Sequence, residues 1–235
     1  MLALQASIGA LNDVIDAPID TGRKPGKPIP AGLVSRSMAR GVVVGSGVVG
    51  LALTLPSGPG LAALAILGLA IGYGYDIAAK GTAWSWLPFA LGLPLLPVFG
   101  WYGATGGLPA TFAILLPAAV LAGAALAIAN AIADERRDES AGIASVAIWL
   151  GPGRAWAAGA LLQSIVGLIA LVSLRLSGAV VPSLVGAILS AALLAAGVGM
   201  GRSSSAPRRE RGWEIQAIGV AFLGASWLWG IASRA

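Results

Sequence analysis

Residues 109–138 read PATFAILLPAAVLAGAALAIAN, Pro109 to Asn130, followed by AIADERRD, Ala131 to Asp138. The first 22 residues carry no charge, and then Asp134, Glu135, Arg136, Arg137 and Asp138 arrive together. About 20 mostly apolar residues suffice for a helix to cross a bilayer. The segment therefore reads as a membrane span that leads into a cluster of charge.

The rest of the chain has the same character. It has 235 residues, 57% of them hydrophobic and 11% charged, with a mean hydropathy of +0.85. Soluble domains carry roughly 25% charged residues, so the bilayer is the better solvent for this chain. Seven span-sized stretches can be drawn, at roughly 37–55, 60–75, 86–103, 109–130, 154–174, 180–200 and 213–233, the second extensible past Tyr75. Met1 to Leu11 is apolar but too short to span alone. It has neither a basic leader nor an A-x-A site, so it does not read as a signal peptide. Gly and Ala crowd stretches such as Gly41 to Gly50 and Ala118 to Ala129, as close helix packing in lipid requires. An alanine-rich genome explains the same bias equally well.

Cysteine and histidine are absent. That excludes thiol nucleophiles, disulfides, Ser-His-Asp triads and the usual zinc and haem ligands. The net charge of +5 does not indicate nucleic acid, because the basic residues sit in short gaps between apolar runs. With Asp13 placed in the cytoplasm, the alternating spans put Arg23, Lys24, Lys27, Arg36, Arg40, Lys80, Arg136, Arg137, Arg154, Arg202, Arg208, Arg209 and Arg211 on that side. Only Arg175 and Arg234 fall opposite. Every acidic residue lies on the cytoplasmic side too, and the loops Pro56 to Gly60 and Ala104 to Pro109 are uncharged. The positive-inside rule then makes the carboxylate face cytoplasmic. The tryptophans mostly sit near span ends and read as an interfacial belt, with one or two available for cation–π contacts.

A second carboxylate cluster, Asn12-Asp13-Val14-Ile15-Asp16-Ala17-Pro18-Ile19-Asp20, precedes the spans. On a helix Asn12, Asp16 and Asp20 drift only about 40° per step and share a face, with Asp13 beside them. Pro18 predicts a kink or an end there, leaving Asp20 at the mouth of a cavity. Asn130, Asp134 and Asp138 repeat the spacing, and each number exceeds its counterpart among 12, 16 and 20 by the same 118. A parallel internal repeat explains this, and so does chance at three positions. Carboxylates gathered at a membrane face repel each other unless countered. Mg²⁺ takes oxygen ligands, often one or two carboxylates plus a substrate phosphate. Two such clusters suit metal-assisted binding of a diphosphate, whereas a single Asp-rich loop would more often be a solvated helix end.

These residues resemble the UbiA superfamily of membrane-embedded prenyltransferases, in particular 4-hydroxybenzoate polyprenyltransferases. The family signature N-D-x-x-D-x-x-x-D is met at Asn12, Asp13, Asp16 and Asp20. Lys27-Pro28-Ile29-Pro30-Ala31-Gly32 looks like its R-P-[IL]-x-[SA]-G segment, with Lys for Arg. Asp134, Asp138, Gly142 and Gly151 match the second signature, and Tyr75 and Lys80 look like the Tyr and basic residue of the intervening loop. The resemblance implies an all-α integral membrane fold, a multi-span helical bundle of nine spans around a central cavity, with residues 1–235 as a single domain. It implies transfer of an isoprenyl chain from an isoprenyl diphosphate to a lipophilic or aromatic acceptor, through an allylic cation, in a bacterial or archaeal cell membrane. By that implication Asn12, Asp13, Asp16, Asp20, Asp134 and Asp138 bind Mg²⁺. Arg23, Lys27, Lys80 and Arg137 bind diphosphate, and Asp16, Asp134 and Tyr75 are catalytic.

The chain departs from the family pattern in three places. The family's first span and about half of the second are lacking, as a misplaced start codon or a fragment would produce. Ser140 and Ala144 stand where basic residues often follow the second signature, a role open to Arg136 or Arg137. Lys80 lies five residues after Tyr75 rather than four. The rival readings are a cation-coupled transporter using the Asp clusters as ion sites, and an inactive truncated homologue. A CDP-alcohol phosphotransferase ranks low, because its D-G-x-x-A-R core is absent.

Overall fold

The charge-free runs fold as helices. A computed structural model describes residues 1–22 and 26–232, with Ile231 described by its backbone alone, and all regular structure among them is helical. The order is α1 (Leu2–Asp20), α2 (Arg36–Ala52), α3 (Pro59–Gly74), α4 (Trp86–Thr105), α5 (Phe112–Ser140), α6 (Val146–Leu150), α7 (Pro152–Leu176), α8 (Val181–Met200) and α9 (Ala206–Ala232). A short 3₁₀ turn, Leu55–Ser57, follows α2, and a π-turn, Tyr75–Ala79, continues α3.

Six of these segments are long and apolar enough to cross a membrane: Arg36–Ser57, Pro59–Ala79, Trp86–Thr105, Phe112–Ser140, Pro152–Leu176 and Val181–Met200. They match the first six sequence stretches, with the second extended past Tyr75 and the fourth prolonged through the second carboxylate cluster. The seventh stretch lies in α9, whose first turns carry Arg208, Arg209, Glu210 and Arg211. Large apolar side chains such as Val44, Val48, Ile66, Leu168, Ile188 and Phe222 remain exposed on these helices. Water would penalise such a surface, whereas lipid is its natural surroundings. The protein is an integral membrane protein with multiple helical spans.

Packing divides the chain into two compact units: Met1–Lys80 with Leu95–Leu108, and Gly81–Pro94 with the chain from Pro109 onward. In the first, α1 packs against α2 and α3. Gly50 and Gly72 leave just enough room for Leu4 and Ile8 of α1. Ser7, fully buried, joins the three helices: its Oγ donates to the Val43 carbonyl at 2.6 Å and shares a 2.6 Å hydrogen bond with the Tyr73 hydroxyl. In lipid a buried hydroxyl must find such partners inside the protein.

The second unit is built on α5. Its run from Ala122 to Ala129 is buried without interruption, because Ala and Gly let neighbours approach from all sides. The backbone of Phe89 and Ala90 lies where a Gly123 side chain would be. Helices α8 and α9 meet at Gly197 and Gly212, each blocked by the other's carbonyl from carrying a Cβ. Trp227 belongs to the interior rather than to an interfacial belt, while half-buried Trp156 at the start of α7 is tied to a neighbouring helix. Trp227 is buried and donates to Ser173 Oγ at 2.8 Å; Trp156 donates to the Val198 carbonyl at 2.9 Å. The Arg202 guanidinium stands 4.1 Å from the Trp156 ring centre, a cation–π contact.

Candidate diphosphate and metal site

The first carboxylate cluster lies on the last turns of α1. The helix ends shortly after Pro18, at Asp20, as the proline predicts, and the Thr21 N–H and hydroxyl both donate to the Ala17 carbonyl there. Because the helix stays intact up to that point, Asp20 keeps the face of Asp16 and of buried Ala17. It is only 4% exposed.

Each polar side chain on this face has a counterpart. Lys27 donates to Asp13 in an ion pair. Lys80 donates to Asp16 Oδ2 at 2.5 Å. Asn12 donates its Nδ2 to Asp76 Oδ1 at 2.8 Å. Asp76 is buried, and its other oxygen, Oδ2, has no hydrogen-bond partner. The hydrogen bond to Asp13 holds the Lys27 ammonium above its ordinary lysine value; burial opposes this, and the charges of Asp13, Asp20 and Asp16 reinforce it. Arg23 lies outside the described residues.

The π-turn explains the five-residue spacing of Tyr75 and Lys80. Lys80 N–H bonds the Tyr75 carbonyl at 2.8 Å, five residues back. A π-turn holds one residue more than an α-turn, and such turns concentrate at functional sites. The extra residue is absorbed, and Asp76 and Lys80 meet α1 in register: residue 76 with 12, and 80 with 16. Tyr75, partly buried, opens the turn. Sequence reasoning passed over Asp76, although it stands next to Tyr75 and four residues before Lys80, the spacing that separates Asn12 from Asp16.

In the second unit Asp134 and Asp138 occupy the last turns of α5. Arg137 pairs with Asp134 at 3.1 Å and reaches Glu210 of α9 at 3.9 Å. Both carboxylates are partly exposed. The helix stops immediately after them. Ile143 N–H bonds the Asp138 carbonyl at 2.9 Å, Gly142 N–H bonds that of Glu139 at 3.2 Å, and Gly142 has φ +68. This is a Schellman end, which needs a residue at positive φ and so favours glycine. Gly151 has φ 78 at the start of α7. The two glycines of the second signature are thus backbone devices that end one helix and begin another.

These donors are carboxylate and amide oxygens, hard ligands of the kind Mg²⁺ takes. Among the described residues no three carboxylates converge closely enough to enclose an ion alone.

The comparisons agree with this architecture. Residues 1–231 match the UbiA prenyltransferase family. No curated protein matches the chain in sequence. The fold is similar to the apo structure of a UbiA homologue from Aeropyrum pernix K1, with TM-score 0.78 and 20% identity over 96% of this chain and 85% of that one. It is also similar to a UbiA homologue from Archaeoglobus fulgidus bound to GPP and Mg²⁺, with TM-score 0.69 and 17% identity over 96% and 84%. A structure described for digeranylgeranylglyceryl phosphate synthase aligns with TM-score 0.73 and 17% identity over 97% and 81%. This chain belongs to the UbiA prenyltransferase family, and is a transferase of the membrane-embedded kind.

Proposed function

We propose that residues 1–235 work as one domain that transfers an isoprenyl chain from its diphosphate to a lipophilic or aromatic acceptor at the cytoplasmic face of a cell membrane. The observation that carries this is the pairing of Lys27 with Asp13 and of Lys80 with Asp16. Carboxylates beside ammonium groups offer oxygen ligands for a cation and donors for the phosphate it carries. The Archaeoglobus relative, bound to GPP and Mg²⁺, supports the same substrate class.

Asn12, Asp13, Asp16, Asp20, Asp134 and Asp138 would hold Mg²⁺. Bound there, the metal supplies positive charge that neutralises the diphosphate and improves it as a leaving group. Lys27, Lys80 and Arg137, together with Arg23, donate to the phosphate oxygens. Tyr75 belongs to the same machinery, since it opens the turn that carries Lys80. The bond between C1 of the isoprenyl chain and the diphosphate oxygen breaks, its electron pair leaving with the diphosphate. The allylic cation is shielded from water by apolar helix walls. A nucleophilic carbon or oxygen of the acceptor bonds to C1 and releases a proton.

The test is prenyl transfer by membranes containing the protein, with labelled geranyl diphosphate and a panel of aromatic and lipid acceptors. Transfer should need Mg²⁺, stop with EDTA, and be abolished by Asp16→Ala and by Asp134→Ala. Full activity in both variants would overturn the assignment of these carboxylates.

A further inference from the structure

We propose that Asp76 is a positioning residue that fixes the Asn12 side-chain amide so that its carbonyl oxygen, not its NH₂ group, is presented to the divalent cation of the diphosphate site. The inference rests on the proposed function and adds a residue to it.

Asn12 is a primary amide, and its two ends have opposite polarity: the oxygen is a hard metal ligand, and the nitrogen is a donor that a cation repels. Without a fixed neighbour the two orientations compete. A carboxylate removes the competition, because its oxygens accept from the NH₂ end and repel the carbonyl end. Asp76 Oδ1 accepts from Asn12 Nδ2 at 2.8 Å, so the Asn12 carbonyl points away from Asp76. Outer partners that orient metal ligands in this way change metal affinity by about 10- to 100-fold when removed.

The environment makes Asp76 a rigid support. It is 5% exposed. It lies in the π-turn that the Lys80 N–H closes onto the Tyr75 carbonyl. Lys80, four residues on, is anchored to Asp16, four residues beyond Asn12. Two bonds in register therefore hold the turn against α1. The unpartnered Oδ2 is the second observation. A carboxylate kept in the interior with one oxygen unsatisfied is costly for stability alone, and a role towards the cation accounts for its being there.

The experiment is Mn²⁺ binding, followed by electron paramagnetic resonance, to the full chain purified in detergent, with inorganic pyrophosphate present. Thermal unfolding without metal is measured in parallel. Wild type, Asn12→Ala, Asp76→Asn, the double variant and Asp16→Ala are compared. Asp76→Asn keeps the shape but removes the fixed polarity, and should weaken Mn²⁺ about tenfold or more. Asn12→Ala should weaken it similarly, and the double variant should bind no worse than Asn12→Ala. Losses that add would mean Asp76 acts through its charge and not through Asn12, which overturns the proposal, as does unchanged Mn²⁺ affinity in Asp76→Asn. If Asp76→Asn does not fold, the exchange Asn12→Asp with Asp76→Asn restores the hydrogen bond and the charge. It should bind Mn²⁺ no more weakly than wild type, since the carboxylate at position 12 is itself a hard oxygen ligand, and a loss of about tenfold in the folded exchange variant overturns the proposal. Failure of the site itself looks different: wild type and Asp16→Ala then bind Mn²⁺ equally.

Discussion

Replacing Lys80 by Met separates what this ammonium does for the fold from what it does for substrate. Met keeps most of the apolar stem and deletes the charge. In the free protein the ammonium donates to Asp16 Oδ2 at 2.5 Å, with side chains 31% and 13% exposed. A hydrogen bond to a charged group contributes about 1.5–3 kcal/mol, and partial exposure of Lys80 favours the lower part of that range for stability. On the proposed function the same ammonium also contacts the diphosphate, and loss of one charge-assisted contact of that size weakens binding roughly 10- to 150-fold. The assay is equilibrium binding of radiolabelled geranyl diphosphate with saturating Mg²⁺ to protein in detergent, with thermal unfolding as the parallel readout. Lys80→Met should lose both stability and affinity, and Lys80→Arg should recover much of each. A folded Lys80→Met protein that binds geranyl diphosphate within twofold of wild type would refute the reasoning. Lys80 would then be only the counter-charge of Asp16.

Three further outcomes follow from local geometry. The Lys27 ammonium is held above its ordinary value of 10.5 by Asp13, so its contribution to stability is full below the ordinary value and is lost as pH rises through the higher folded value. The stability gap between wild type and Lys27→Met, read by chemical unfolding in detergent, should be constant at neutral pH and close in strong alkali; a gap that closes below pH 9 contradicts this. Gly142→Ala should destabilise by about 1 kcal/mol through backbone strain alone, since φ is +68 and a Cβ there meets nothing within 4 Å. Gly153→Ala, equally open but without positive φ, should be neutral or stabilising in the same thermal assay. Ser7→Ala should cost about 1 kcal/mol, as interhelical hydrogen bonds in membrane proteins do, and Tyr73→Phe added to it should cost little more; fully additive losses would show that the two hydroxyls do not act as one bond.

Much of this molecule was legible in its sequence because hydropathy over 20 residues is a strong signal in lipid. The uncharged run from Pro109 to Asn130 marked α5, and the four-residue spacing of Asn12, Asp16 and Asp20 marked one face of α1. The positions that sequence misplaced depend on tertiary contacts. Asp76 looks like one more charge beside Tyr75 until the π-turn sets it against Asn12. Sequence periodicity assumes 3.6 residues per turn, and one extra residue in a turn is invisible to it. Trp227 reads as interfacial by position near a span end, whereas its burial and its hydrogen bond to Ser173 in a neighbouring helix hold it inside. The Gly142 requirement is local and was visible as a motif, but its cause, a Schellman end directly after Asp138, needed the backbone angles.

The central claim is that the carboxylates of both clusters bind an isoprenyl diphosphate through a divalent cation. The most direct measurement is binding of an unreactive geranyl thiolodiphosphate to purified protein, with Mg²⁺ and with EDTA, for wild type, Asp16→Asn and Asp134→Asn. The account predicts that wild type binds only with Mg²⁺ and that each variant binds at least about tenfold more weakly. Equal binding by all three proteins, or binding that is indifferent to EDTA, would contradict it.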